Sequence, residues 1–483
     1  MIRAATVAVS MCLVFLSWST TATSQDGPEA QVASDPRVLD AVNAWTVWVE
    51  YQLAINNVPG ASVAVVHDQT LLMAKGLGWA NPATGRPATP DTIYSICSNS
   101  KLFTSIGVMQ LRDAGRLRLD DELSDHLEWF AIEDAHPNDE PITIRRILTH
   151  SSGLPRESDY PYWTDPSFPF PTHDEVVDRI DDQVTLYPSG RYYQYSNLGL
   201  TLAGEIVVAA SGRPFDEYIS AQILDPLGMA DTFTEIPAAH HGERMAIGHS
   251  ARKRDGTRDP LPLFQTRGIA PAAGFASTVE DLARFASWQL RLRGNDGDEV
   301  LRAATLREMH RVHWVDPDWD TTWGLGFVVR QLDDYTLIEH GGACPGYYSQ
   351  VTVEPKSELG VIILSNAIGT EVDHYVEKAI ELIAPAVEEA KGDPSGASER
   401  DSNLDRYVGI YDSIWGQEAV VSWEDGLAML SLRTRNPKDN LEKLQKVGDH
   451  TFRRVRDDDE SLGETVIFDV GDDGTATRFK QHS

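Results

Sequence analysis

Tyr94-Ser95-Ile96-Cys97-Ser98-Asn99-Ser100-Lys101 runs into a segment, Ser98 to Ala114, that places Leu102, Ile106 and Met109 on one helical stripe. A serine in the first turn of such a helix and a lysine three residues on share a face. The amine can then meet the hydroxyl, and the helix N-terminus adds partial positive charge that favours an alkoxide. An isolated Ser-x-x-Lys step also reads as an N-cap serine beside a surface lysine, so its meaning depends on the rest of the chain. Two further stretches matter. Tyr195-Ser196-Asn197 lies between the turn Pro188-Ser189-Gly190 and an apolar helix from about Leu198, and His340-Gly341-Gly342-Ala343 ends a predicted strand in glycines that let another backbone approach closely.

Around these stretches the pattern predicts an α+β fold. Asp35 to Asn57 has helical spacing, with Asp35 as N-cap and Pro36 at N1. Gly60–His67 and Leu71–Trp79 read as an antiparallel hairpin, and Tyr335–His340, Ser349–Glu354 and Gly360–Asn366 as three later strands before a helix from Glu371 to Val387. Strands at both chain ends and helices between them predict one antiparallel sheet built from both ends, flanked by helices, with a mostly helical lobe beside it and a cleft between. Residues 388–403 turn polar and small, a linker by composition, and Leu404–Ser483 alternates in short runs (AVVSW, LAMLSL, TFRRV, TVIFDV), a small all-β domain. The expected organisation is a signal peptide over 1–24, a polar leader over 25–35, a hydrolase domain over 36–387, the linker, and the all-β domain over 404–483.

Composition narrows the function. With 42 Lys+Arg against 73 Asp+Glu the 483-residue chain carries −31, which repels phosphate backbones and anionic headgroups and disfavours nucleic-acid or membrane-surface binding. A hydrophobic fraction of 41 % supports packed cores. Arg3, the apolar stretch Ala4–Trp18, and Ala22 and Ser24 ahead of Gln25 read as an export signal cleaved after Ser24. No later apolar run reaches the roughly 18 residues of a membrane span. Periplasmic or extracellular placement is therefore expected. Cleavage would leave only Cys97 and Cys344, too few for a disulfide framework.

The three motifs in this order, with the third on a late strand, closely resemble the serine β-lactamase and penicillin-binding-protein superfamily, in its class C-like branch of family VIII esterases and D-aminopeptidases. Leu148 to Pro155 (LTHSSGLP), Pro271-Ala272-Ala273-Gly274 and Trp323-Gly324-Leu325-Gly326 resemble that branch too, and the tail is similar to a lipocalin-like appendage of some members. The resemblance implies that Ser98 is the acylated nucleophile, that Lys101 and Tyr195 accept its proton, and that Asn197 orients the lysine and substrate. It further implies an oxyanion hole from the N–H groups of Ser98 and Ala343, with His340 and Gly342 in the pocket wall. Tyrosine near 10 and lysine near 10.4 are poor bases at neutral pH, so one must fall by about 3 units. A lysinium beside Tyr195 would favour the phenolate, and desolvation would disfavour the lysinium. A shared oxyanion hole would also bring Cys97 and Cys344 together. A bond between them needs Cα atoms about 4.4–6.8 Å apart, and the sequence leaves that pairing open.

Two departures shape the expectation. Cys97 stands where the family commonly has glycine, and His340 where classical members have a lysine that helps hold a substrate carboxylate. A neutral histidine favours neutral esters or amides over β-lactams. The substrate is then a small ester, amide or peptide, with no cofactor and no metal. D-stereospecific peptidase or amidase and β-lactamase remain alternatives, as does a penicillin-binding sensor module that acylates without turnover. Tyr160–Phe170 (YPYWTDPSFPF) is expected to wall the cleft. Gly248-His249-Ser250 lacks the last glycine of a nucleophile elbow, Gly76-Leu77-Gly78 lacks a third glycine, and His240-His241 and His310/His313 read as surface residues. Oligomeric state is not legible.

Overall fold

The computed structural model describes residues 28–159, 161–396, 401–414, 416–456, 458 and 460–482. The expected export signal lies outside them. Within the leader, a short helix spans Pro28–Ala33. Helix α1 (Pro36–Ile55) begins where Asp35 Oδ1 accepts the Arg37 N–H at 2.9 Å. Strand β1 (Gly60–His67) turns back into β2 (Thr70–Asn81). The lobe beside them is built on α2 (Ser100–Asp113), α3 (Asn197–Ser211) and α4 (Val279–Arg293). The chain then re-enters the sheet through β3 (Val328–Leu332), β4 (Tyr335–Cys344), β5 (Tyr347–Glu354) and β6 (Leu359–Ser365), and α5 (Val372–Gly392) follows.

The sheet runs β2-β1-β6-β5-β4-β3, extended at each edge by two-residue strands, and β1 pairs with β6 from Ala61↔Ser365 to His67↔Leu359. The first and last thirds of this region are thus zipped together. All eight residues of β1 are buried because both faces are covered. Ala61, Val63 and Val65 pack with Trp45, Trp48, Val376 and Ile380 of α1 and α5, while Ala64 and Val66 pack with Phe285 of α4 on the lobe side. Period-2 side-chain direction under two layers turns a strand into a continuous apolar run.

Four expectations change. β4 continues through the glycines to Cys344 and turns at Pro345-Gly346. α5 runs to Gly392, into the stretch read as linker, because Ala390 is buried and Arg37 binds Glu389 (3.1 Å) and the Asp393 carbonyl (2.8 Å). Tyr162, Phe168 and Phe170 do not wall the cleft; they are buried against one another and Phe264 in the lobe core. His310 is not a surface residue but is buried edge-on to Phe327.

The C-terminal sheet is a sequential antiparallel meander of seven strands: β7 (Gly409–Ser413), β8 (Gly416–Trp423), β9 (Gly426–Ser431), β10 (Leu441–Gly448), β11 (Thr451–Val455), β12 (Leu462–Val470) and β13 (Ala476–His482). Val420, Leu427 and Met429 face its own core, with Tyr407, Phe452 and Phe468. Ala419, Val421, Ala428 and Leu430 face the other way, into the cluster of Trp45 and Trp48. The docking also has polar pins. Trp48 Nε1 donates to the Thr434 carbonyl (2.9 Å) and Gln52 Nε2 to the Leu432 carbonyl (2.7 Å).

Trp48 is therefore expected to hold two units at once. Trp48→Ala should cost about 3–5 kcal/mol, the usual range for a buried tryptophan, read as a lower urea midpoint; a loss under about 1 kcal/mol would show that the sheet docks independently of α1.

Candidate active site

Ser98 lies in a 3-10 turn (Cys97–Asn99) that leads directly into α2, at the bottom of a cavity of about 820 Å³ between sheet and lobe. Its lining includes Arg156, Tyr193, Tyr195, Trp323, His340 and Ala343. The turn is reached through a left-handed residue, Cys97 at φ +51°. Glycine adopts that conformation freely and other residues pay about 1–2 kcal/mol for it, which accounts for the glycine common in the family at this position. Cys97 is held there by a disulfide to Cys344, with Cα atoms 5.7 Å apart. One bond thus ties the residue before Ser98 to the residue after Ala343.

The glycines of β4 have a steric reason. A Cβ on Gly342 would lie 2.2 Å from the Ile96 carbonyl oxygen and 2.3 Å from Ser349 Oγ. The register sets which way the Ala343 backbone groups point. Cys344 and Tyr347 close a two-residue hairpin, and Ala343 is opposite Tyr348. Backbone groups in an antiparallel pair alternate sides, so those of Ala343 point away from β5. On that side β3 ends with Val328 opposite Glu339, leaving the Ala343 N–H at an open edge beside Ser98.

Lys101 is fully buried, and its Nζ has three neighbours: Ser98 Oγ at 3.1 Å, Asn197 Oδ1 at 2.7 Å and the Ala272 carbonyl at 2.8 Å. Burial holds its pKa well below the usual 10.5, a direction that Arg156 reinforces and Glu157 opposes. A neutral amine has two N–H groups and one lone pair. Asn197 Oδ1 and the Ala272 carbonyl can only accept, so they take the N–H groups and leave the lone pair for the Ser98 hydroxyl. The Asn197 amide is oriented in turn, because its Nδ2 donates to Glu157 Oε1 at 2.7 Å and Glu157 Oε2 accepts from Tyr162.

Tyr195 behaves differently from the expectation. Its phenol is hydrogen-bonded to Ser98, yet burial, the largest cause, pushes its pKa up. Lys101 Nζ lies 4.8 Å from the ring centroid. Desolvation thus acts on both partners, lowering the pKa of the amine and raising that of the phenol, so that a resting phenolate is disfavoured. His150, from the LTHSSGLP stretch, stacks on Tyr195 with centroids 4.3 Å apart and accepts the Ser196 N–H on Nδ1 at 3.1 Å. His340 Nδ1 is 2.7 Å from the Gly341 carbonyl, which only accepts, so the ring proton is on Nδ1 and Nε2 is a bare acceptor. Burial, then Lys101, pushes this imidazole down to about 3. Among the described residues Nε2 has no partner.

All seven anticipated residues, Ser98, Lys101, Tyr195, Asn197, His340, Gly342 and Ala343, thus meet at one junction. Sequence reasoning missed Arg156, Glu157 and the Ala272 carbonyl. The first two directly follow Leu154-Pro155 but have no spacing signal of their own, and a backbone carbonyl leaves no side-chain signature.

Comparison with known proteins identifies the class. Residues 48–384 match the family described as Beta-lactamase. The chain belongs to that family, whose members act broadly as serine hydrolases through an acyl-enzyme. Penicillin-binding protein 4 of Amycolatopsis lactamdurans is 30 % identical over 337 residues, covering 68 % of this chain and 86 % of that protein. Beta-lactamase-like protein 2 of Dictyostelium discoideum is 24 % identical over 442 residues, 86 % of this chain and 78 % of that one. Among solved structures, the octameric penicillin-binding protein homologue from Pyrococcus abyssi superposes with a TM-score of 0.63 at 22 % identity, over 91 % of this chain and 99 % of the other. A β-lactamase/D-alanine carboxypeptidase from Yersinia pestis gives 0.59 at 22 %, over 72 % and 98 %. The former reaches into the C-terminal sheet; both likenesses concern the fold.

The depressed Lys101 pKa fixes a sign. Below its folded pKa the amine gains a proton and loses the lone pair that faces Ser98, so Ser98 reactivity should fall on the acid side and stay level well below pH 10.5. Unfolded lysine binds a proton that the folded amine does not, so stability should rise with pH between the folded and unfolded values, and Lys101→Met should flatten that slope in urea titrations. A reactivity inflection near pH 10 would contradict the neutral-amine assignment.

Proposed function

We propose that the protein is an exported serine hydrolase that cleaves a carboxylic ester or amide through an acyl-enzyme on Ser98. The observation that carries this reading is the Lys101 amine, fully buried with its pKa lowered and its Nζ 3.1 Å from Ser98 Oγ. In the first step Lys101 takes the hydroxyl proton as Oγ bonds to the substrate carbonyl carbon. The oxyanion is received by the N–H groups of Ser98 and Ala343; one such donor is typically worth about 100- to 1,000-fold in rate. Tyr195 gives its proton to the leaving oxygen or nitrogen and regains one from the lysinium as that bond breaks. Water then releases the acyl group by the reverse transfers.

Export is supported by the N-terminal pattern and by a disulfide, which belongs to an oxidising compartment. No helix among the described residues is long and apolar enough to cross a membrane. His340, neutral and with Nδ1 committed to Gly341, offers a substrate carboxylate neither charge nor a donor on the β4 side, which disfavours β-lactams there. Its free Nε2 acceptor also favours one second reading, an amide or peptide substrate that presents an N–H.

A fluorophosphonate probe should label Ser98, Ser98→Ala should abolish both labelling and hydrolysis, and Lys101→Ala should slow labelling by about 100-fold or more. p-Nitrophenyl butyrate, D-amino-acid p-nitroanilides and nitrocefin, compared by kcat/KM, separate the substrate classes. An adduct mapping to Ser151 or Ser250 would refute the nucleophile assignment, nitrocefin as the best substrate would promote the β-lactamase alternative, and a product burst without turnover would indicate a sensor module.

A further inference from the structure

Two arginines line the Ser98 cavity, and their charges are not equally available. Arg330 is occupied: its Nε donates to Glu339 Oε1 at 2.5 Å and its NH2 group pairs with Glu377 at 2.8 Å. Arg156 is held by its backbone instead. Its carbonyl accepts the N–H groups of Asn197 (2.7 Å) and Leu198 (3.2 Å) at the start of α3. The side chain is 60 % exposed, and the guanidinium carbon lies 4.9 Å from the Tyr195 ring centroid, over the phenol that meets Ser98. Its one ion pair is a long contact, Nε to Glu157 Oε1 at 3.4 Å. That oxygen already accepts from Asn197 Nδ2, and the other accepts from Tyr162. Among the described residues the terminal amino groups of Arg156 have no partner.

We propose that Arg156 is a specificity-determining residue that anchors a carboxylate on the acyl group of the substrate. This rests on the serine-hydrolase reading above. A guanidinium presents two parallel N–H groups that match a carboxylate, and the position of the guanidinium carbon 4.9 Å from the Tyr195 ring centroid keeps them beside Ser98. The site lies on the Tyr195 side of the cavity, apart from His340 and β4. The favoured substrates are half-esters of dicarboxylic acids, or esters and amides of acidic amino acids. The overall charge of −31 does not cancel such a contact, since exposed charges beyond a Debye length of about 8 Å are largely screened at physiological salt.

The test compares mono-p-nitrophenyl glutarate with p-nitrophenyl butyrate, as the ratio of their kcat/KM values, in wild type, Arg156→Gln and Arg156→Lys. The ratio should fall by about 10- to 100-fold in the glutamine variant and less in the lysine variant. A merely structural role would slow both esters alike and leave the ratio unchanged, which would overturn the proposal. In a Ser98→Ala background, calorimetry reads the anchor without turnover: the glutarate half-ester should bind at least about 10-fold more tightly than in Ser98→Ala/Arg156→Gln. Equal binding there refutes the anchor. A retained difference with no hydrolysis by the wild type refutes the serine chemistry and leaves the anchor standing.

Discussion

The buried amine of Lys101 is the interaction around which the site is assembled. An uncompensated ammonium in this position would be costly; burial lowers the pKa of the amine, and Nζ donates to two acceptors. Those acceptors come from distant parts of the chain, Asn197 at the start of α3 and Ala272 in the lobe. The arrangement therefore locks two segments of the lobe to the helix that continues from the Ser98 turn. Glu157 and Tyr162 extend the lock outward through Asn197. This hydrogen-bond chain orients Asn197 at the amine, and the charge of the Glu157 carboxylate at its end opposes the fall of the amine's pKa.

The second constraint is the contact between the nucleophile turn and β4. The two backbones approach closely, and Gly342 against the Ile96 carbonyl is where they touch. The Cys97–Cys344 bond fixes the same approach covalently. It also holds a non-glycine residue in a left-handed conformation, so the cysteine that departs from the family pattern is tied to the meeting of the Ser98 turn with β4 rather than to surface chemistry.

The C-terminal sheet enters this system indirectly. It shares a core with α1 and α5, and it touches the first turn of α5 through His374 Nε2 and the Arg435 carbonyl (2.9 Å) and through Arg435 and Glu371 (3.1 Å). The first two turns of α5 contribute Val372, Asp373 and Glu377 to the cavity wall. Among the described residues the sheet supplies none to the cavity, yet it braces one wall.

The sequence by itself determined the sheet formed by both chain ends, through period-2 apolar runs, and the helical stripe behind Ser98. The seven residues that meet at the junction were picked out by the resemblance that the three motifs, taken in order, bear to the β-lactamase and penicillin-binding-protein superfamily. The sequence also carried the departure at Cys97, though not its reason. Tertiary structure alone decided that burial lowers the Lys101 pKa and raises that of Tyr195, because desolvation depends on what surrounds a group and not on its neighbours in sequence. It decided that Cys97 and Cys344 bond, that the aromatic stretch around Phe168 packs into the lobe core, and that polar residues up to Gly392 stay helical under Arg37. It also brought Arg156 and Glu157 to the cavity. A single charged residue in a loop has no periodicity to betray it, and its function arises only when folding places it over Tyr195 or beneath Asn197.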